Sequence, residues 1–171
     1  MNPAGLPLDG NASVLRQGEA LLELLSDSDY AEGLAGAASV GAQYRHVLEH
    51  YQAFLLGLGS GRIDYDARAR EARLERSREA ALAVTRECLA GLEALRGAAE
   101  RPLEVQMETA IAGGPPDWRA SSAGRELQFL LSHTLHHYAL IRLLLPAVTL
   151  RLGADFGVAP STLSHRRKGE R

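Results

Sequence analysis

Five of the six histidines in this sequence fall in two short clusters, Arg45-His46-Val47-Leu48-Glu49-His50 and His133-Thr134-Leu135-His136-His137. Each cluster contains an i,i+4 pair, His46 with His50 and His133 with His137. On a helix turning about 100° per residue, such a pair lies about 40° apart, so both rings leave one face from adjacent turns and can grip a single ion. Counting from Val40, whose side of the helix is apolar, His46 falls at about 240° and His50 at about 280°, on the flank of that face. Counting from Leu127, His133 and His137 take the same two angles, whereas His136 falls at about 180°, away from the apolar side. Two such helices side by side gather up to four imidazoles, a donor set suited to zinc, nickel, iron or copper. The same residues also fit two other roles: histidines hydrogen-bonded at a core edge, or acid–base groups without a metal. Metallopeptidase chemistry is excluded, because no glutamate follows the first histidine as HExxH requires.

The elements that must position these clusters are helices, since 3.6-residue periodicity dominates and strand-like alternation is scarce. A first helix runs from Asn11 to Leu25 and stops at Ser26-Asp27-Ser28-Asp29, followed by a loop with Gly33 and Gly36. Ser39 caps a second helix to about Leu58, with Val40, Tyr44, Val47, Tyr51, Phe54 and Leu58 on its apolar face and Gly57, Gly59 and Gly61 ending it. A third helix spans Arg68 to Arg96, its charged first part (Arg68 to Glu79) reading as a solvated face with i,i+3 and i,i+4 ion pairs. Arg101 to Met107 suits a short extended segment, and Gly113-Gly114-Pro115-Pro116 is a break, after which Trp118 anchors the loop. Ser121 or Ser122 caps a fourth helix from Ala123 to Leu145, with Glu126 reaching back to the Ser122 or Ala123 amide and Pro146 ending or kinking the helix. The tail from Gly153 packs through Phe156 and Val158 and then frays. The expected architecture is all-α: a four-helix bundle in one domain, residues 1–171 with a core at about 11–163, with long connections and at least one crossover.

Composition narrows the function. The chain has 171 residues, enough to bury a core without staples, and 19 Lys+Arg against 21 Asp+Glu give a net charge of -2. A near-neutral chain lacks the basic footprint of a nucleic-acid binder, and the short tail His165-Arg166-Arg167-Lys168 does not supply one. The lone cysteine, Cys88, excludes an internal disulfide and reads as a small buried apolar residue. The N-terminal MNPAGLPLDG lacks the features of a signal peptide, and the apolar run Leu143 to Leu150 is far too short to span a bilayer, so a cytoplasmic location is expected.

The stretches Arg45 to Tyr51 and Glu126 to Ile141, together with Asp155-Phe156-Gly157-Val158-Ala159-Pro160-Ser161-Thr162-Leu163, resemble an uncharacterised bacterial branch of the DinB/YfiT-like superfamily. The resemblance covers about Ser39 to Leu163. It implies an up-down-down-up four-helix bundle and a divalent metal (zinc, nickel or iron) held by three histidines. Carried over, His46 is the ligand of the second helix, and His133 and His137 are the pair. His50 is held in reserve, being the one the angular count favours for burial. His136 matches a common extra histidine that is not a ligand. Many relatives follow the HxxxH with Arg-Gly, where this chain has Tyr138-Ala139.

Three histidines leave open positions on an ion, where water is acidified or a thiolate coordinates. The superfamily includes thiol-dependent S-transferases and isomerases, so the resemblance implies a metal-dependent hydrolase or thiol transferase. The alternative is a non-catalytic metal-binding or stress-response bundle or dimerisation module. Asp64 and Asp66 are the candidate catalytic carboxylates, their competing role being an Asx turn or helix cap; Glu49 lies at the wrong helical phase. Expected partners are a small-molecule substrate, a low-molecular-weight thiol and a second copy in a homodimer, with neither nucleic acid nor membrane. With one cysteine of its own, any thiol chemistry would draw on an external thiol.

Overall fold

The computed structural model describes residues 6–32, 38–109, 111 and 113–169. The first five residues and the Gly33/Gly36 loop lie outside these. The molecule is mostly helical, with a small three-stranded sheet.

Helix α1 (Leu8–Leu24) starts earlier than expected, and Asn11 is a fully buried polar residue within it rather than the helix start. Ser26 does not end the helical structure: its Oγ accepts from the Asp29 amide and caps a short α2 (Asp27–Ala31). Helix α3 (Val40–Ser60) begins at Ser39, whose Oγ accepts from the Ala42 amide. It ends on Gly61 at φ 75°, a left-handed conformation that favours glycine. All six residues of its expected apolar face are buried. Burying each of the larger ones contributes about 1.5–3 kcal/mol.

The expected third helix is two helices. Ser77 sits at φ -118°, ψ 108°, which separates α4 (Ala72–Arg76) from α5 (Arg78–Ala94), and its Oγ accepts from the Ala80 amide to start the second. Residues 68–71 are not helical, so the ladder of i,i+3 and i,i+4 pairs expected there does not form. The charges pair across elements instead: Arg45 with Glu75 at 2.7 Å and Arg78 with Asp27 at 2.9 Å.

Strand β1 (Arg62–Asp64) pairs parallel with β2 (Pro102–Gln106), Ile63 opposite Val105, and β2 pairs antiparallel with β3 (Arg119–Ser122). Only β2 was legible as an extended segment. The Arg62 guanidinium lies 3.9 Å over the Trp118 ring, anchoring that loop to the sheet. Ser122 caps α6 (Ala123–Leu144), its Oγ accepting from the Arg125 amide at 3.3 Å. Pro146 then opens a short α7 (Pro146–Thr149), followed by a 3-10 turn at Leu150–Leu152. Phe156 is buried and stacks on Tyr138 with centroids 5.2 Å apart, as the tail was expected to pack. Beyond it the chain forms α8 (Pro160–Gly169) rather than a frayed end.

Helix α1 packs on α5 and α6, and α3 packs on α5 and α6. A buried polar chain ties three of them. Asn11 Nδ2 donates to the Leu127 carbonyl at 3.0 Å, Tyr51 Oη donates to Asn11 Oδ1 at 2.8 Å, and Thr134 Oγ1 donates to the Leu130 carbonyl at 2.7 Å beside Tyr51. Cys88 is buried, as expected. No described helix is long and apolar enough to cross a membrane.

The close approach of α4 to α3 depends on Gly41, where an added Cβ would meet the Glu75 carbonyl oxygen at 1.9 Å. Gly41→Ala is expected to destabilise the protein by about 1–3 kcal/mol, read by urea melting, because the backbones must separate. An unchanged midpoint would contradict this packing.

Candidate metal centre

Helix α3 supplies His46 and His50, and α6 supplies His133 and His137. The two helices pack so that the four rings meet. His46 Nε2 lies 3.1 Å from His133 Nε2, which lies 3.2 Å from His137 Nε2. The centroids of His46 and His137 are 4.7 Å apart. Donor atoms of His46, His50 and His133 also lie within 4.8 Å of one another.

The partners of the other ring nitrogens distinguish these histidines. His137 Nδ1 lies 2.5 Å from Gln43 Oε1, and an oxygen acceptor there places the hydrogen on Nδ1 and leaves the Nε2 lone pair facing His133. His50 Nδ1 donates to the His46 carbonyl at 2.6 Å, and its Nε2 lies 2.5 Å from Arg68 Nη1. The same Nη1 lies 2.7 Å from Nδ1, so the guanidinium sits against both nitrogens of the His50 ring. His133 Nδ1 is buried with no hydrogen-bond partner. Removal from water, chiefly, pushes His46 and His137 down to about 4 and His50 and His133 down to about 3, with neighbouring cations or imidazoles adding to the fall. All four are neutral at pH 7, the form that ligates a metal.

The donor set fits a divalent ion. Ligand nitrogens about 2.0–2.1 Å from a tetrahedral ion are separated by about 3.3 Å, close to the two Nε2 spacings. A pocket of about 220 Å³ opens on His46 and His133, walled by Tyr65, Phe129 and Met107 with Arg68 at its side. Phe129 stacks on His133 and Tyr65 on His50, with centroids 5.3 Å apart in each case.

The remaining sequence candidates separate. His136 and His165 are exposed, and His136 is not among the converging nitrogens. Asp64 Oδ1 accepts from the Asp66 and Ala67 amides, which is the Asx turn rather than a catalytic pose. Asp66 lines the pocket, but its Oδ2 accepts from the Glu108 amide and from Gln106 Nε2. Glu49 is buried and accepts from the Glu71 amide at 2.6 Å. Glu126 does not cap its own helix. It is buried and accepts from Tyr65 Oη at 2.9 Å and Ser121 Oγ at 2.5 Å. Gln43, Tyr65, Arg68 and Phe129 are site residues that sequence reasoning missed. Gln43 sits three residues before His46 and Phe129 four before His133, so helical phase was the available signal. Nothing in the local sequence pointed to Tyr65 or Arg68.

The profile of the DinB superfamily matches residues 14–141. The chain belongs to the DinB superfamily. The match includes all four converging histidines and ends at Ile141, before the turn that opens α7. This DinB-superfamily chain is also similar to FK506-binding protein 5 of Rhizopus delemar (strain RA 99-880), 46% identical over 48 residues. That match covers 28% of the chain and 12% of the fungal protein, so the chain spans about an eighth of that relative's length. No solved structure matches.

Tyr65→Phe removes one of the two hydroxyls that satisfy the buried Glu126 carboxylate. The expected loss is about 1.5–3 kcal/mol in denaturant unfolding, the usual range for a hydrogen bond to a charged group. A loss below about 0.5 kcal/mol would show that this bond does not hold β1 and α6 together.

Proposed function

We propose that this protein is a divalent-metal-dependent enzyme of the hydrolase or thiol-dependent S-transferase type, built on a DinB/YfiT-like four-helix bundle. Helices α1, α3, α5 and α6 form the bundle, in up-down-down-up order. His46, His133 and His137 hold the metal. The observation that carries the reading is the convergence of three neutral imidazole nitrogens, from two helices, beside an open pocket that His46 and His133 line. A bound divalent ion would supply an open coordination position that acidifies water or accepts a thiolate. The chain's own residues prepare that position. Gln43 holds the His137 ring in the tautomer whose Nε2 faces inward. Tyr65, Phe129 and Met107 keep one side of the pocket apolar, which strengthens every charge interaction within it. With Asp66 held by the Glu108 amide and Gln106, and Asp64 spent in its turn, neither is assigned as the general base.

A second reading is favoured by one observation, the clustering of His46, His50 and His133. With His50 as a further ligand the site would be closed and non-catalytic. The two readings differ on His50, whose ring lies against the Arg68 guanidinium.

Metal content of the purified chain, measured by plasma emission after zinc loading, tests both readings. About one ion per chain is expected for the wild type and for His50→Ala, and background for His133→Ala/His137→Ala. Equal content in the wild type and the double variant would remove the site. Loss of zinc from His50→Ala would select the closed site. Gln43→Ala is expected to weaken zinc binding by about 10- to 100-fold, as removal of a partner that orients a ligand does.

A further inference from the structure

Arg68 is a half-buried cation held in no direct ion pair among the described residues. Its Nη1 lies against the ring nitrogens of His50, and its Nε is buried with no hydrogen-bond partner. The two carboxylates nearest in effect, Glu49 and Asp66, each hold backbone amides instead, those of Glu71 and Glu108. A neutral imidazole is a poor partner for a guanidinium compared with a carboxylate, which takes two of its donors at once. The cation stands at the side of the pocket that opens on His46 and His133. The pocket is also lined by the Phe129 and Tyr65 rings, Met107 and the Asp66 carboxylate. The volume of about 220 Å³ lies below the roughly 300–1,000 Å³ of sites for drug-sized ligands, so the ligand is small.

We propose that Arg68 determines the specificity of this pocket, binding the carboxylate of a small substrate whose aromatic or apolar body lies against Phe129, Tyr65 and Met107. The substrate then lies beside the histidine cluster, since the His50 and His133 ring centroids are 4.3 Å apart. Its role as a substrate of that centre rests on the metal reading above; its recognition by Arg68 does not. When the carboxylate arrives, the guanidinium exchanges the His50 nitrogen for two carboxylate oxygens.

Calorimetric titration of the full chain with benzoate tests the assignment, with benzyl alcohol as the uncharged control and both metal-free and zinc-loaded protein. Benzoate is expected to bind at least about ten-fold more tightly than benzyl alcohol, since a bidentate charged pair adds to the shared ring contact. Arg68→Met is expected to lose that preference while keeping its zinc, and Arg68→Lys, which retains the charge, to keep part of it. Equal binding of the two ligands by the wild type, absence of benzoate binding, or an unchanged preference in Arg68→Met would each overturn the proposal. So would loss of zinc from Arg68→Met, which would make the arginine a support of the histidines. If Arg68→Met does not fold, Arg68→Lys decides: a weakened preference supports the assignment, and none overturns it. A benzoate preference in a chain that takes up no zinc would support Arg68 while removing the metal reading.

Discussion

Neutral imidazole nitrogens packed edge to edge between α3 and α6 are the constraint on which the site depends. His137 and His50 each spend their ring hydrogen on an oxygen, Gln43 Oε1 and the His46 carbonyl, so neither can donate into the cluster. The Nε2 atoms of His46, His133 and His137 crowd within hydrogen-bond range of one another, and His133 Nδ1 finds no partner. A buried polar atom without a partner costs about 1–3 kcal/mol. The chain therefore tolerates an arrangement that is poor for folding and well suited to a cation.

The rest of the molecule holds that arrangement in place. Tyr51, one residue after His50, reaches Asn11 on α1, and Asn11 reaches the Leu127 carbonyl on α6. Thr134, one residue after His133, lies on the same buried chain at 3.4 Å from the Tyr51 hydroxyl. These bonds fix the rotation of α3 relative to α6, which sets the distance between the histidine pairs. The strands contribute from the other side: β1 leads into Tyr65, whose hydroxyl ends on Glu126 of α6. The loop after β1 then carries Arg68 to His50. The sheet is small, but it sets where the pocket wall stands.

The long helices and the histidine pairs were legible in the sequence because both depend on a repeat of about 3.6 residues, and a repeat is local information. Val40 through Leu58 show it, with every expected apolar residue buried. What was not legible depended on contacts distant in sequence. Ser77 reads as an interior helix residue until its side chain is seen capping α5. The charges from Arg68 to Glu79 suit a solvated helix, yet Arg45 on α3 takes Glu75 and Arg68 turns into the pocket. Strands β1 and β3 are three and four residues long, too short to show alternation before their partner is known. Helical phase placed His46 and His50 on one flank, but their difference lies in Arg68, eighteen residues beyond His50.

The proposed centre is an ion held by three imidazoles with a position left open to solvent and substrate. X-ray absorption at the zinc edge of the zinc-loaded chain measures that coordination sphere directly. Three imidazole nitrogens at about 2.0–2.1 Å and at least one oxygen ligand are expected. A sphere of four imidazoles, with His50 released from Arg68 to close the site, would contradict it.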